Sequence, residues 1–281
     1  GRGNGEGAKA AEDEDFVKYA RPVMIEWDTS AAPEVRELLE KAQQNFTELA
    51  QCLDTELIDF QVFGSDWIKS KKVSPDAFMQ MAFQLAYFRM NDELVSTYES
   101  VMMKSYLRGR TETGRPVTNE MKQFVEAMED ILLSPVKKAE ILRNAAKAHV
   151  QQISDCLAGN GIDRHLWTLN KLLTARQKRL DGIEPEKIFH DPSYSFFTHN
   201  TLSTSTCAVP GVDVFGFGPV VPDGFGIGYA ANKTNLMAYI TAFKGEGAGG
   251  RVGGYSKGVQ KAFRDMYAIL EEEERAKEGE E

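Results

Sequence analysis

Residues 202–229 read LSTSTCAVPGVDVFGFGPVVPDGFGIGY. Ser203, Thr204 and Ser205 are three small hydroxyl residues in a row, and a β-rich run over residues 212–217 follows them. Pro219, Pro222, Asp223 and Gly224 punctuate a turn, after which residues 225–229 open another apolar strand. Successive strand side chains point to opposite faces, so Ser203 and Ser205 share one face and Thr204 takes the other. Gly216, Gly218, Gly224, Gly226 and Gly228 are costly in an ordinary strand and expected where a backbone bends or something packs close against it. Two readings fit: a twisted hairpin at a crowded sheet position, and a hydroxyl-lined, glycine-walled substrate channel.

Downstream of this stretch, residues 236–243 (LMAYITAF) form a further strand, 245–254 a glycine loop, 257–270 an amphipathic helix and 271–281 a charged tail expected to fray. Upstream, residues 188–195 are expected to be an irregular lead-in. Helical spacing predicts helices over 164–180, 135–157 and 119–132, with Asp163 as the N-cap of the first of these. Arg164 then sits at a helix start, where the dipole disfavours a cation. An anionic partner would explain it, as would an ion pair with Asp163 or Glu112. The polar segment 109–116 (GRTETGRP) is either a surface turn or a carboxylate-binding strand. Residues 91–108, which include Tyr98 and Glu99, are expected to be helical.

Ser74-Pro75-Asp76 is a helix start, with a serine cap, proline in the first turn and an acid at the positive end. Its helix buries a stripe through Phe78, Met81, Ala82, Leu85 and Phe88. The loop before it, 64–73, holds Lys69, Lys71 and Lys72, which together with free backbone N–H groups make either an anion site or a solvated basic loop. Residues 58–63 read as a strand and 33–53 as a helix. Residues 1–15, rich in glycine, alanine and acids, read as a linker or as disordered.

The 281 residues are enough for one large domain or two small ones. A content of 42% hydrophobic and 27% charged residues is that of a globular chain, and no apolar run reaches the roughly 20 residues of a membrane helix. The net charge of −9 argues against a nucleic-acid surface, although a local basic patch could still bind phosphate. Cys52, Cys156 and Cys207 show neither metal-ligand spacing nor a disulfide framework, so no metal is expected and a reducing compartment is. The first residue is glycine, which points to a processed or partial chain. Helices alternating with a few strands place the fold in the α/β or α+β class, with a mixed sheet.

The segments FGSDWIKSKKVSPDAF, FQLAYFR, TYES, GRTETGR, DRHL, LSTS and FGPVVPDGFGIGY resemble, nearly collinearly over about residues 33–269, the choline/carnitine acyltransferase family and its carnitine acetyltransferase-type members. The resemblance implies an α/β domain of chloramphenicol acetyltransferase type, a mixed sheet flanked by helices. It divides the chain into a linker (1–20), most of one acyltransferase domain (21–270) and a charged tail (271–281). The implied reaction is acyl transfer between coenzyme A and carnitine in a tunnel between two such domains, with a histidine as base. Coenzyme A is then a substrate, and no tightly bound cofactor is expected.

Residue by residue, Tyr98, Thr111 and Arg164 match binders of the carnitine carboxylate, and Thr113 a neighbouring threonine that supports them. A guanidinium that forks onto a carboxylate, with hydroxyls donating the remaining bonds, suits that task. Ser205 matches the hydroxyl that stabilises the oxyanion, Ser203 a contact to the carnitine end, and Phe217 the aromatic beside the trimethylammonium group. Lys69 and Asp76 match coenzyme A contacts, with Lys71 and Lys72 as added candidates. Phe215 matches the position that gates the acyl pocket, where a bulky ring favours short chains.

Three departures stand out. None of His149, His165, His190 and His199 occupies the motif of the catalytic histidine, so the chain resembles only the C-terminal half of the family. Ser65 replaces a lysine and Thr206 a glutamine, both on the coenzyme A side. The implied function is carnitine O-acyltransfer that needs a histidine-bearing half, whether another part of the same chain or a separate polypeptide. The alternative is a non-catalytic structural subunit that keeps the fold. Acyl-CoA, carnitine and complementary subunits are the expected partners, with neither nucleic acid nor a membrane span. The mitochondrion is the expected compartment, with the peroxisome and cytosol left open.

Overall fold

A computed structural model describes residues 23–26, 32–177, 187–207, 209, 211–212, 214–245 and 251–278. The expected linker over residues 1–20 lies outside them, as do 178–180 of one expected helix and 246–250 of the glycine loop. Contacts divide the chain into residues 1–49 and 50–281. Helix α1 (Pro33–Gln51) is amphipathic, with Val35, Leu38, Leu39, Phe46 and Leu49 at helical spacing. Among the described residues no helix is long and apolar enough to cross a membrane.

The second unit is a mixed α/β domain. Its sheet contains β1 (Leu53–Phe60), β2 (Thr97–Met102), β3 (Thr111–Gly114), β4 (Leu202–Thr206), β5 (Phe225–Ala231) and β6 (Leu236–Phe243), in the order β1-β6-β5-β4-β2-β3. β2, β4 and β5 run parallel and the other pairs antiparallel. The helices are α2 (Ser65–Ser70), α3 (Pro75–Asn91), α4 (Asn119–Glu129), α5 (Pro135–Leu157), α6 (Asp163–Gln177), α7 (Pro192–Thr198), preceded by a 3-10 turn at Lys187–His190, and α8 (Val252–Glu278).

One sheet face holds the core. Ile58, Phe60, Leu202, Phe225, Ile227, Ile240 and Ala242 alternate onto it and are buried against α3 and α8, on which α4 and α5 pack. α3 is buried all round from residue 77 to 87, as a helix must be when sheet and helices enclose it. It starts as the sequence predicts, with the Ser74 hydroxyl accepting from the Ala77 N–H at 3.3 Å. Gln80 and Gln84, one turn apart, reach down to the sheet hydroxyls of Thr204 and Thr97, each at 2.8 Å.

Three expectations are corrected. Residues 97–102 form a strand, not a helix: TYESVM alternates buried and open, a period of two rather than 3.6. β4 and β5 run parallel, so residues 202–229 are no hairpin, and the described residues of 212–217 form no strand. Parallel neighbours need a long connection, and this one returns across the sheet. A Cβ on Gly228 would lie 2.1 Å from the Phe215 carbonyl oxygen, and one on Gly226 2.6 Å from that of Phe217. The glycines therefore make room for the chain's own backbone, which the Thr241 hydroxyl holds through the Phe217 carbonyl at 2.6 Å. Finally, the charged stretch from Glu271 continues α8 as far as Glu278. Trp67 donates to Glu271 at 2.9 Å and Arg143 to Glu273 at 2.6 Å, so side-chain partners add to the high helix propensity of this run.

Candidate active site

The sheet face opposite the core carries the hydroxyls. Tyr98 pairs with Ser203, Ser203 with Gly226, and Gly226 with Thr241. In-register partners share a face, so Tyr98, Ser203, Ser205 and Thr241 lie on one side, together with Thr111 and Thr113 through the pairing of β2 with β3. Thr204 points to the other side, as alternation requires. It is fully buried, accepts from Gln80 and donates to the Tyr98 carbonyl at 2.9 Å.

α6 begins at the β3 edge, where its first residues meet the strand's carboxylate. Glu112 accepts from the backbone N–H groups of Thr113 at 2.7 Å and Arg164 at 3.1 Å, so a strand residue satisfies a free N–H group at the helix start. Gly161 leaves the space, since a Cβ there would lie 2.3 Å from the Glu112 side chain. The Asp163 side chain does not cap its own helix. It pairs with Arg115 and accepts from the Thr113 hydroxyl at 3.0 Å.

Held in this way, the Arg164 guanidinium reaches across β3 to β2. Its Nη2 donates to the Tyr98 phenol at 3.0 Å and to the Thr111 hydroxyl at 3.4 Å, and its Nε to the Thr111 carbonyl at 3.4 Å. Asp163 approaches Nη1 only at 3.5 Å, and the Arg164 side chain is 40% exposed. A guanidinium, a phenol and a threonine hydroxyl from three elements thus meet at an open position, an arrangement suited to a carboxylate. Thr113, by contrast, is buried and commits its hydroxyl to Asp163.

Ser203 is buried, one strand over from Tyr98, and Ser205 is partly open. Phe217 lies half-buried on the crossing segment, its ring 5.8 Å from that of Phe215. Among the described residues no histidine bonds to Ser203 or Ser205. His149 lies on the core side, and His199 pairs with Asp223 at 2.9 Å.

The coenzyme A candidates separate. Lys71 and Lys72 line a cavity of about 730 Å³. Lys69, exposed on α2, does not. Asp76 accepts from the Tyr229 phenol at 2.6 Å and belongs to a cluster under the sheet. Its ligand atoms and those of Glu99 and His149 all lie within 4.8 Å of one another. Each of the three could offer one atom to a cation, but His149 Nε2 and Glu99 already share a hydrogen bond at 2.7 Å. Burial pushes the Glu99 carboxyl up to about 7, against the pull of His149. Burial opposes the charged form of His149 too, yet the Glu99 carboxylate outweighs it and raises the imidazole.

The choline/carnitine O-acyltransferase family model matches residues 4–251. The chain belongs to the choline/carnitine acyltransferase family. Carnitine O-acetyltransferase of Homo sapiens is 38% identical over 247 residues, 87% of this chain and 38% of that protein. Mitochondrial carnitine O-palmitoyltransferase 2 of Mus musculus is 37% identical over 232 residues, 82% of this chain and 34% of that protein. The chain therefore spans little more than a third of the length of these acyltransferases. A solved chloramphenicol acetyltransferase aligns with 75% of this chain and 88% of its own at a TM-score of 0.38 and 9% identity, too loose a likeness to carry an argument.

Sequence reasoning left Arg115 unmarked and named Glu112 only as a possible ion-pair partner of Arg164. Arg115 ties Asp163 to Asn200 at 2.6 Å and stacks over Phe197 at 4.3 Å. Glu112 holds the α6 start. The only signal for Arg115 was its place inside GRTETGR, where charges alternate with the marked threonines.

Proposed function

We propose that this chain is the carnitine-binding part of a carnitine O-acyltransferase that transfers short acyl groups between coenzyme A and carnitine. The observation that carries the reading is the convergence of Arg164, Tyr98 and Thr111. A carboxylate entering there would accept from the guanidinium and both hydroxyls, each bond strengthened by charge. Choline has no carboxylate, so the same trio favours carnitine. Ser203 then faces the carnitine end and Phe217 the trimethylammonium. Ser205 donates to the oxyanion as the carnitine oxygen attacks the thioester carbonyl. A donor so placed contributes about 3–4 kcal/mol to the transition state.

The carnitine hydroxyl must lose its proton in that step and the departing thiolate must gain one. The group we assign to both transfers is a histidine outside these 281 residues. The coenzyme A end is assigned to Lys69, Lys71, Lys72 and Asp76 on the family resemblance alone, since of these four the cavity is lined by only Lys71 and Lys72. The half-buried Phe215 ring supports a short acyl chain, and the mitochondrion is the proposed compartment.

Mixing the chain with a histidine-bearing half of a related acyltransferase should give coenzyme A release from acetyl-CoA that depends on carnitine. Arg164→Ala should weaken carnitine by about 10- to 100-fold, the cost of a lost charged hydrogen bond. Release that survives this substitution unchanged would sink the assignment. The buried Ser65, which offers no charge where the resemblance implies a lysine, favours a second reading, a structural subunit without turnover. Calorimetry separates the two, because a scaffold would bind neither carnitine nor coenzyme A.

A further inference from the structure

Two carboxylates contact Arg164, and both are turned elsewhere. Glu112 accepts from the backbone N–H groups of Thr113 and Arg164. Asp163, the neighbour of Arg164 at the α6 start, meets the guanidinium itself. Its side chain is only 10% exposed, so a charge pair there would be little screened by salt. Yet Asp163 Oδ1 stays 3.5 Å from Arg164 Nη1 and accepts instead from the Thr113 hydroxyl at 3.0 Å. Oδ2 accepts from Arg115, through Nε at 3.1 Å and through Nη2. Asp163 is thus shared unequally between two arginines, and Arg115 holds the larger share.

Arg115 is itself fixed from the other side. Its Nη1 donates to the Asn200 side chain at 2.6 Å, to the Ser96 hydroxyl at 3.2 Å and to the Thr97 carbonyl at 3.3 Å. Its Cζ lies 4.3 Å from the centre of the Phe197 ring, where a cation over an aromatic face is favourable. The guanidinium therefore cannot follow Asp163 toward Arg164, and it draws the carboxylate to a fixed place. Arg164, by contrast, keeps a side chain that is 40% exposed and donates only to neutral oxygens of Tyr98 and Thr111 apart from the 3.5 Å contact.

We propose that Arg115 is a positioning residue for the anion site: by holding Asp163, it keeps that carboxylate from closing on Arg164 and leaves the Arg164 guanidinium for the carboxylate of a substrate. That the substrate is carnitine rests on the function proposed above. The competition of the two arginines for Asp163 does not. Without Arg115, a rotation of the Asp163 side chain would pair it with Arg164. A substrate carboxylate would then have to displace an acid tethered beside the site, a competitor at high effective concentration.

Two measurements on the whole chain test this: calorimetry with carnitine, and the rate at which phenylglyoxal modifies Arg164, followed by mass spectrometry. The variants are Arg115→Ala, Arg115→Lys and the double variant Arg115→Ala/Asp163→Asn. Arg115→Ala should bind carnitine about tenfold more weakly and slow the modification of Arg164, because a paired guanidinium is shielded. Adding Asp163→Asn should restore both, since the competing charge is gone, whereas a merely damaged fold would be damaged further. Arg115→Lys keeps a cation on Asp163 but gives up the Nη1 bonds, so it should stay close to wild type in both measurements. Unchanged carnitine binding or unchanged modification in Arg115→Ala would overturn the proposal, as would a double variant no better than the single one. Where Arg115→Ala does not fold, Arg115→Lys decides: a folded lysine variant that has lost carnitine about tenfold would make Arg115 a strut between β2, β4 and α6 and overturn its role toward Asp163. A wild type that binds no carnitine would remove the carnitine reading, and the modification rates would still decide the role of Arg115.

Discussion

Arg164 gathers the candidate site because one planar group carries five donors. Glu112 fixes its backbone and Asp163 takes only a distant contact, so most of those donors face Tyr98, Thr111 and open space. The sequence marked all three residues as matches to a family pattern, and Arg164 also as a cation placed at a helix start. Their meeting depends on β2, β3 and α6 arriving together, which no local spacing encodes. Phe215 makes the clearest prediction at this scale. If its ring closes the acyl pocket, Phe215→Gly should extend the preferred acyl group toward longer chains in the reconstituted assay, at some loss of acetyl transfer. An unchanged chain-length profile would mean that the ring only fills space beside Phe217.

At the scale of elements, β2 is the instructive case. Expecting a helix over residues 91–108 missed the alternation of Thr97, Glu99 and Val101 inward with Tyr98 and Ser100 outward. A glutamate on a core face does not read as a core residue until its partner is known. That partner, His149, comes from α5 and bonds it at 2.7 Å, with Asp76 and the Tyr229 phenol alongside. Glu99, raised from an ordinary 4.5 to about 7, and His149, also raised, hold protons more tightly folded than unfolded. Stability from this cluster therefore falls as pH rises from about 4.5 to 7. Melting temperature should decline across that window in wild type and much less in Glu99→Gln. An equally steep decline in the variant would place the effect elsewhere.

Across the whole domain, the two sheet faces have different tasks. One is sealed by α3 and α8. The other presents hydroxyls and the segment that crosses Gly226 and Gly228. The last turns of α8 return to α2 and α5 through Lys71–Glu271 and Arg143–Glu273. Burial pushes the Glu273 carboxyl up, but Arg143 and Lys277 outweigh it and hold the group below its ordinary range. Arg143→Ala would leave Glu273 poorly paired and should cost about 2 kcal/mol, less than a fully buried pair because Arg143 is 24% exposed. Denaturant unfolding measures this, and a change within error would make the pairing incidental.

The sequence alone determined the α/β class, the cap at Ser74, the strand at 236–243, the opposed faces of Ser203 and Thr204, and the family. These follow from periodicity, cap chemistry and collinear motifs, all of which are local or additive along the chain. The tertiary structure decided that β4 and β5 run parallel, that Glu99 lies in the core, and that residues 271–278 continue a paired helix. It also decided which lysines α8 neutralises. Each of these depends on a partner far away in sequence, and a charged or glycine residue shows its role only once that partner is beside it.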